Sequence, residues 1–179
     1  DQQETDFWSA FSTCGASAIQ EGKTLNPFLS FAKSKELSGD KDAWGQDLRT
    51  ACQVHTKFGA MEYDKEFSLE TKNENFLRDI KNYPDYTERA STYKKEGFFA
   101  IDSFKSKYDS IVATLWKFRE QKRAVITGML WRPEWINDAV ISVPTTQEGF
   151  GHAFILTGQK YIKDKPYLVA QLSNGMIGD

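Results

Sequence analysis

Asp6-Phe7-Trp8-Ser9-Ala10-Phe11-Ser12-Thr13-Cys14-Gly15-Ala16-Ser17-Ala18-Ile19-Gln20-Glu21-Gly22 is the stretch whose reading decides the architecture. Phe7, Phe11, Cys14 and Ala18 recur at i, i+4, i+7 and i+11, one stripe of a helix over about residues 7–21. Asp6 is the expected N-cap and Gly22 the expected stop. Further along, a second helix is predicted from Pro27 toward Leu37, ended by Ser38-Gly39. A third runs from about Trp44 to Lys57, with Trp44, Leu48, Ala51 and Phe58 on one face and Gly59 as terminator. Residues 60–95 are polar, with short helical stretches at Asn75–Lys81 and Tyr86–Tyr93. The character changes near Gly97. Strands are predicted at Phe98–Phe104, Ala124–Leu130, Ala139–Val143, His152–Thr157 and Tyr167–Leu172, with one helix at Ile111–Gln121. Gly158–Pro166 reads as the long polar tip of a hairpin, the charges at Lys160–Lys165 being solvated. Helices first and strands second is the order of an α+β fold with segregated layers. The division is a helical half, 1–96, and a β-rich half, 97–179, within one unit.

Composition narrows the function classes. The chain has 179 residues, 40% of them hydrophobic and 14% aromatic, enough for a packed core. A net charge of −2 argues against a protein that works by gripping phosphate backbones, so no nucleic-acid partner is expected. No apolar run reaches the roughly 18–20 residues of a membrane span, and no membrane partner is expected. Cys14 and Cys52 form no metal-ligand spacing and read as two buried reduced thiols, with a single disulfide left open. No cofactor or metal is expected.

Four fragments carry chemistry together. They are Asp1-Gln2-Gln3-Glu4-Thr5-Asp6-Phe7-Trp8-Ser9-Ala10-Phe11-Ser12, Gly45-Gln46-Asp47-Leu48, Gly151-His152-Ala153-Phe154-Ile155-Leu156-Thr157-Gly158, and Tyr167-Leu168-Val169-Ala170-Gln171-Leu172-Ser173-Asn174-Gly175 closing on Gly178-Asp179. In this order and at these distances they resemble the papain family of cysteine peptidases, in particular its divergent microbial and viral branch. The resemblance covers most of the chain. It implies a helical half packed on an antiparallel sheet or barrel, with substrate in the groove between. It also implies a thiolate at the N-terminus of the central helix, stabilised by the helix dipole, a His from the strand half, an Asn orienting that His, and a Gln donating to the oxyanion. Further chain is expected at both ends.

Carried over by position, Gln2 stands six residues before Trp8, the spacing of oxyanion Gln and nucleophile. His152 matches the catalytic base. The orienting Asn is replaced: one matching puts Leu172 there, another Gln171, and Asn174 serves only after a local shift. The nucleophile position itself holds Trp8, whose indole forms no thioester. Ser9 lies about 100° around the helix and Cys14 about 9 Å further along it, so neither substitutes. The thiols that would close the secreted branch's disulfide near Thr5 are absent. The expectation is a papain-fold pseudopeptidase, inactive as given, acting as a structural or peptide- or protein-binding module, within a larger assembly or alone. The alternatives are an active thiol peptidase altered at Trp8, another acyl-transfer enzyme, or an unrelated α+β domain. Trp8 is expected across the groove floor near His152 or Trp135, with the His152 pKa falling toward or below the ordinary imidazole value. Trp131 and Trp135 are groove-rim candidates, against core packing as the simpler reading. His55 reads as a partly exposed helix residue.

Overall fold

A computed structural model of the chain describes residues 6–43, 45–101, 106–135 and 138–172. Helix α1 (Trp8–Glu21) ends at Gly22, which takes the left-handed conformation at φ 66°. Helix α2 (Pro27–Ser38) opens with Asn26, whose side chain accepts the Leu29 N–H, and Pro27 in the first turn, and it stops at Gly39. Helix α3 (Leu48–Lys57) starts at the Asp47 cap, later than the expected Trp44, a residue outside those described. Two short helices, α4 (Glu74–Arg78) and α5 (Tyr86–Ser91), fill the polar segment as expected. Gly59, just beyond α3, has φ 99°, and a Cβ there would fall 2.0 Å from the Ala90 carbonyl oxygen. Only glycine fits that approach.

Asp6 does not cap α1. It is fully buried, pairs with Arg78 of α4 and accepts the Gly45 N–H at 2.7 Å, so its carboxylate is spent on tertiary contacts. The cap position falls to Phe7, which offers no side-chain acceptor. The apolar stripe also understates how deeply α1 is buried. Ser9, Ala10, Ser12, Thr13 and Ser17 are buried too, because α1 packs on α2, α3 and the sheet at once. Ser12 and Thr13 satisfy their hydroxyls on the Ser9 carbonyl, at 3.0 and 2.8 Å.

The β half is a three-stranded antiparallel sheet, order β1 (Val125–Trp131), β2 (Phe150–Ile162), β3 (Lys165–Gln171). Helix α6 (Lys107–Lys117) lays Ile111 and Leu115 on it. Mixed α+β with helices before strands is therefore the architecture. Three strand expectations need correction. Residues 98–101 are irregular, with Phe98 and Phe99 exposed, while 102–105 lie outside the described residues. Residues 139–143 are irregular as well, and Val143 is 85% exposed: an apolar run without a ladder partner gains nothing by extending. The Gly158–Pro166 tip is mostly strand, for Gly158–Ile162 pair with Lys165–Val169, leaving a two-residue turn at Lys163-Asp164. Both turn residues have positive φ, 48° and 62°, the geometry that matches the twist of the flanking strands.

Two apolar clusters result. One gathers Phe7, Leu29, Phe31, Leu77, Tyr83 and their neighbours; the other gathers Ile111, Leu115, Trp131, Trp135, Phe154 and Leu156. They meet where α1 packs on β2. No helix among the described residues is long and apolar enough to cross a membrane.

Candidate functional site

A cleft of about 810 Å³ opens where the start of α1 meets β1 and β2. Trp8, the first residue of α1, lies half-buried in it. Its ring stands 6.0 Å from His152, edge to face, and 6.2 Å from Phe150. His152 comes from β2, where it pairs with Met129 of β1. Strand alternation places Phe150, His152 and Phe154 on one face. His152 is enclosed by aromatic rings: Trp131 at 5.4 Å, Phe154 stacked at 6.2 Å and Phe150 at 6.3 Å. It is 3% exposed, and neither ring nitrogen has a hydrogen-bond partner. Burial pulls its pKa down to about 4, so at neutral pH it is an uncharged imidazole.

The segment Gly45–Leu48 also borders the cleft, with Gly128–Leu130 of β1 facing it. Ser9 lines it as well; its hydroxyl is buried and unpartnered. No thiol is present there. Cys14 turns the other way, hydrogen-bonding the Asn26 carbonyl and Ser30, with His55 Nε2 at 3.7 Å. Burial pushes its thiol up to about 12, and that of half-buried Cys52 to about 11. Both cysteines are free. Among the described residues neither ring nitrogen of His152 meets a thiol or a hydroxyl.

The remaining expected site residues are distributed as follows. Gln2 and Asn174 lie outside the described residues. Gln171 pairs with Ile155 near the end of β3, and Leu172 follows it. Both border a separate cavity of about 300 Å³ further along α1, beside Phe11, Cys14 and Ala18, and neither bonds His152. Trp131 and Trp135 are not a groove rim: each is 3% exposed, their rings meet edge to face at 5.7 Å, and they form the core under the sheet. His55 is not partly exposed either. It is 3% exposed, with Nδ1 3.0 Å from the Ser17 hydroxyl. The signal for this was present, since His55 falls between Ala51 and Phe58 in the same stripe of α3. Lys35, which also lines the cleft, was not singled out by any sequence pattern. Among the described residues no group of three His, Cys, Asp or Glu is placed to hold a metal. Comparison with protein-family models finds no match to the chain, and comparison with curated proteins finds no significant one.

Proposed function

We propose that the chain is a papain-like pseudopeptidase, a binding module whose cleft receives a peptide or a protein segment without cleaving it. The observation that carries this reading is the meeting of Trp8, at the start of α1, with His152 of β2 at 6.0 Å. These are the two positions that the resemblance assigns to nucleophile and base, and they come from sequence positions far apart. The indole stands where a thiol would be. An aromatic side chain fills such a place without strain because the cleft is open, whereas an enclosed core resists enlargement by about 1–3 kcal/mol. The walls formed by Leu48, Met129, Leu130 and Phe150 suit apolar side chains of a bound segment.

The test is peptidase activity and labelling by a thiol-directed epoxide, before and after Trp8→Cys. The protein as it stands is expected to show neither turnover nor labelling beyond that removed by Cys14→Ala and Cys52→Ala. Trp8→Cys is expected to remain a poor enzyme, because His152 lacks an orienting partner among the described residues. Strong activity of Trp8→Cys would favour instead a thiol peptidase altered at this one position. Turnover by the unaltered protein would refute the reading.

A further inference from the structure

Helix α6 runs out into Trp116-Lys117-Phe118-Arg119-Glu120-Gln121-Lys122-Arg123. Large rings stand in water around this end. Trp116 is 59% exposed, and Phe98 and Phe99, on the irregular segment that reaches it, are 47% and 56% exposed. The half-buried Phe118 ring is the centre of the group. Phe99 lies 5.7 Å from it, the Arg123 guanidinium 4.8 Å over it and the Lys117 ammonium 5.4 Å over it. A 3₁₀ turn, Arg119–Gln121, and left-handed Lys122 at φ 52° fold the chain back, so that the Arg123 N–H donates to the Phe118 carbonyl at 3.4 Å. In the same run Arg119 lies 5.3 Å over the Trp116 ring. The charges here do not cancel. Glu120 is the one carboxylate in the run, and it pairs with Arg119 at 3.3 Å. Lys117, Lys122 and Arg123 are exposed and make no ion pair among the described residues. The segment leading to Phe98 adds Lys94 and Glu96, of opposite sign, and Lys95, which pairs with Glu21. The C-terminal end of the α6 dipole offsets about half a charge, which leaves about two and a half positive charges on an aromatic surface.

We propose that this end of α6 is a contact surface for an anionic lipid bilayer, with Phe98 and Phe99 seated among the headgroups, Trp116 at the margin, and Lys117, Lys122 and Arg123 facing lipid phosphates and carboxylates. Aromatic rings beside basic side chains suit the depth of the headgroups, where one end of the contact is apolar and the other wet. Two observations favour a bilayer over other anionic partners. Nucleic-acid bases stack on open ring faces, whereas Lys117 and Arg123 already lie over Phe118, and Arg119 over Trp116. Protein interfaces are poor in lysine, and two of the three cations without an ion pair are lysines. The lack of a spanning helix among the described residues bears on crossing a membrane, not on a contact at its surface. The net charge of −2 is no obstacle, because screening weakens the field of more distant carboxylates beyond about 8 Å at physiological salt. The surface shares no residue with the cleft, so the binding-module reading stands or falls separately.

Co-sedimentation of the unaltered protein with vesicles of phosphatidylcholine, alone or with about a third of phosphatidylserine, tests this. The phosphatidylserine vesicles are expected to bind it about thirty- to a hundredfold more tightly at low salt, and salt at about 1 M to remove the difference. Lys117→Gln with Arg123→Gln is expected to weaken that binding about ten- to thirtyfold. Phe98→Ser with Phe99→Ser is expected to weaken it at least about tenfold. Lys160→Gln with Lys165→Gln, on the exposed hairpin, removes as much charge as the first pair and is expected to leave binding unchanged. Equal binding to both kinds of vesicle, or binding to neither, by the unaltered protein overturns the proposal and needs no variant to fold. A loss in the hairpin variant equal to that at Lys117 and Arg123 would trace the effect to net charge and overturn it too. Displacement from the vesicles by oligothymidylate or polyglutamate at equal charge would assign the surface to a nucleic acid or an acidic protein and overturn the bilayer.

Discussion

His55 and His152 are the chain's two histidines, and both are 3% exposed, yet their surroundings differ. His152 is caged by rings and unpartnered; His55 is hydrogen-bonded to Ser17. Burial first, then the Lys95 charge, lowers the His55 pKa from 6.5 to about 4. Between those values the unfolded chain binds the proton and the folded protein does not. The stability contributed is therefore fully present above about pH 6.5 and is lost as pH falls toward 4. At pH 5 this amounts to about 2 kcal/mol for His55 alone. Urea unfolding of the protein and of His55→Gln at pH 7 and pH 5 measures it. The variant is expected to be less stable at pH 7 but to lose less on acidification. An equal loss in both would show that His55 is not the titrating group.

At the scale of elements, the hairpin of β2 and β3 departs most from its reading as a long polar tip. Cross-strand pairing reaches Ile162 and Lys165, and the reversal is left to Lys163 and Asp164, both left-handed. A side chain there costs about 1–2 kcal/mol that glycine does not. Replacing the pair by Asn-Gly, Lys163→Asn with Asp164→Gly, is expected to raise the unfolding midpoint by the equivalent of about 1 kcal/mol. No change, or a loss, would mean that the turn contacts of the native pair outweigh their backbone strain. The opposite case is Gly59, where φ 99° and the Ala90 carbonyl exclude any side chain. Gly59→Ala is expected to cost at least about 2 kcal/mol in the same measurement.

The whole molecule is held at one seam. Phe154 and Leu156 belong to the cluster under the sheet, while Ile155 points to the other face, against α1 near Gly15. It is 3% exposed. Ile155→Ala removes packing between the halves rather than within either, at an expected cost of about 2–5 kcal/mol. If the halves unfold together, circular dichroism and tryptophan fluorescence of the variant will shift to one common lower midpoint. Two separated transitions would show that the seam couples them only weakly. The cleft depends on the same seam, since Trp8 and His152 meet only when α1 rests on β2.

The sequence by itself determined the helices α1, α2 and α3, their glycine stops, and the order of helices before strands. Those signals come from side-chain periodicity and from backbone preferences that act within a few residues. It also marked Trp8 and His152 as residues to watch, through spacing within short fragments. Tertiary structure alone decided what each polar residue does. Asp6 and Ser9 sit within a few residues of each other, yet one is spent on Arg78 and Gly45 while the other is left unpartnered in the cleft. Ala139–Val143 and Val125–Trp131 are both apolar runs, and only the second found a ladder. Lys35 resembles any other helix lysine until the Ala43 carbonyl accepts its ammonium and the buried Asp6 carboxylate comes near it. Burial, pairing and charge balance depend on partners brought from distant parts of the chain, and no local pattern encodes which partners arrive.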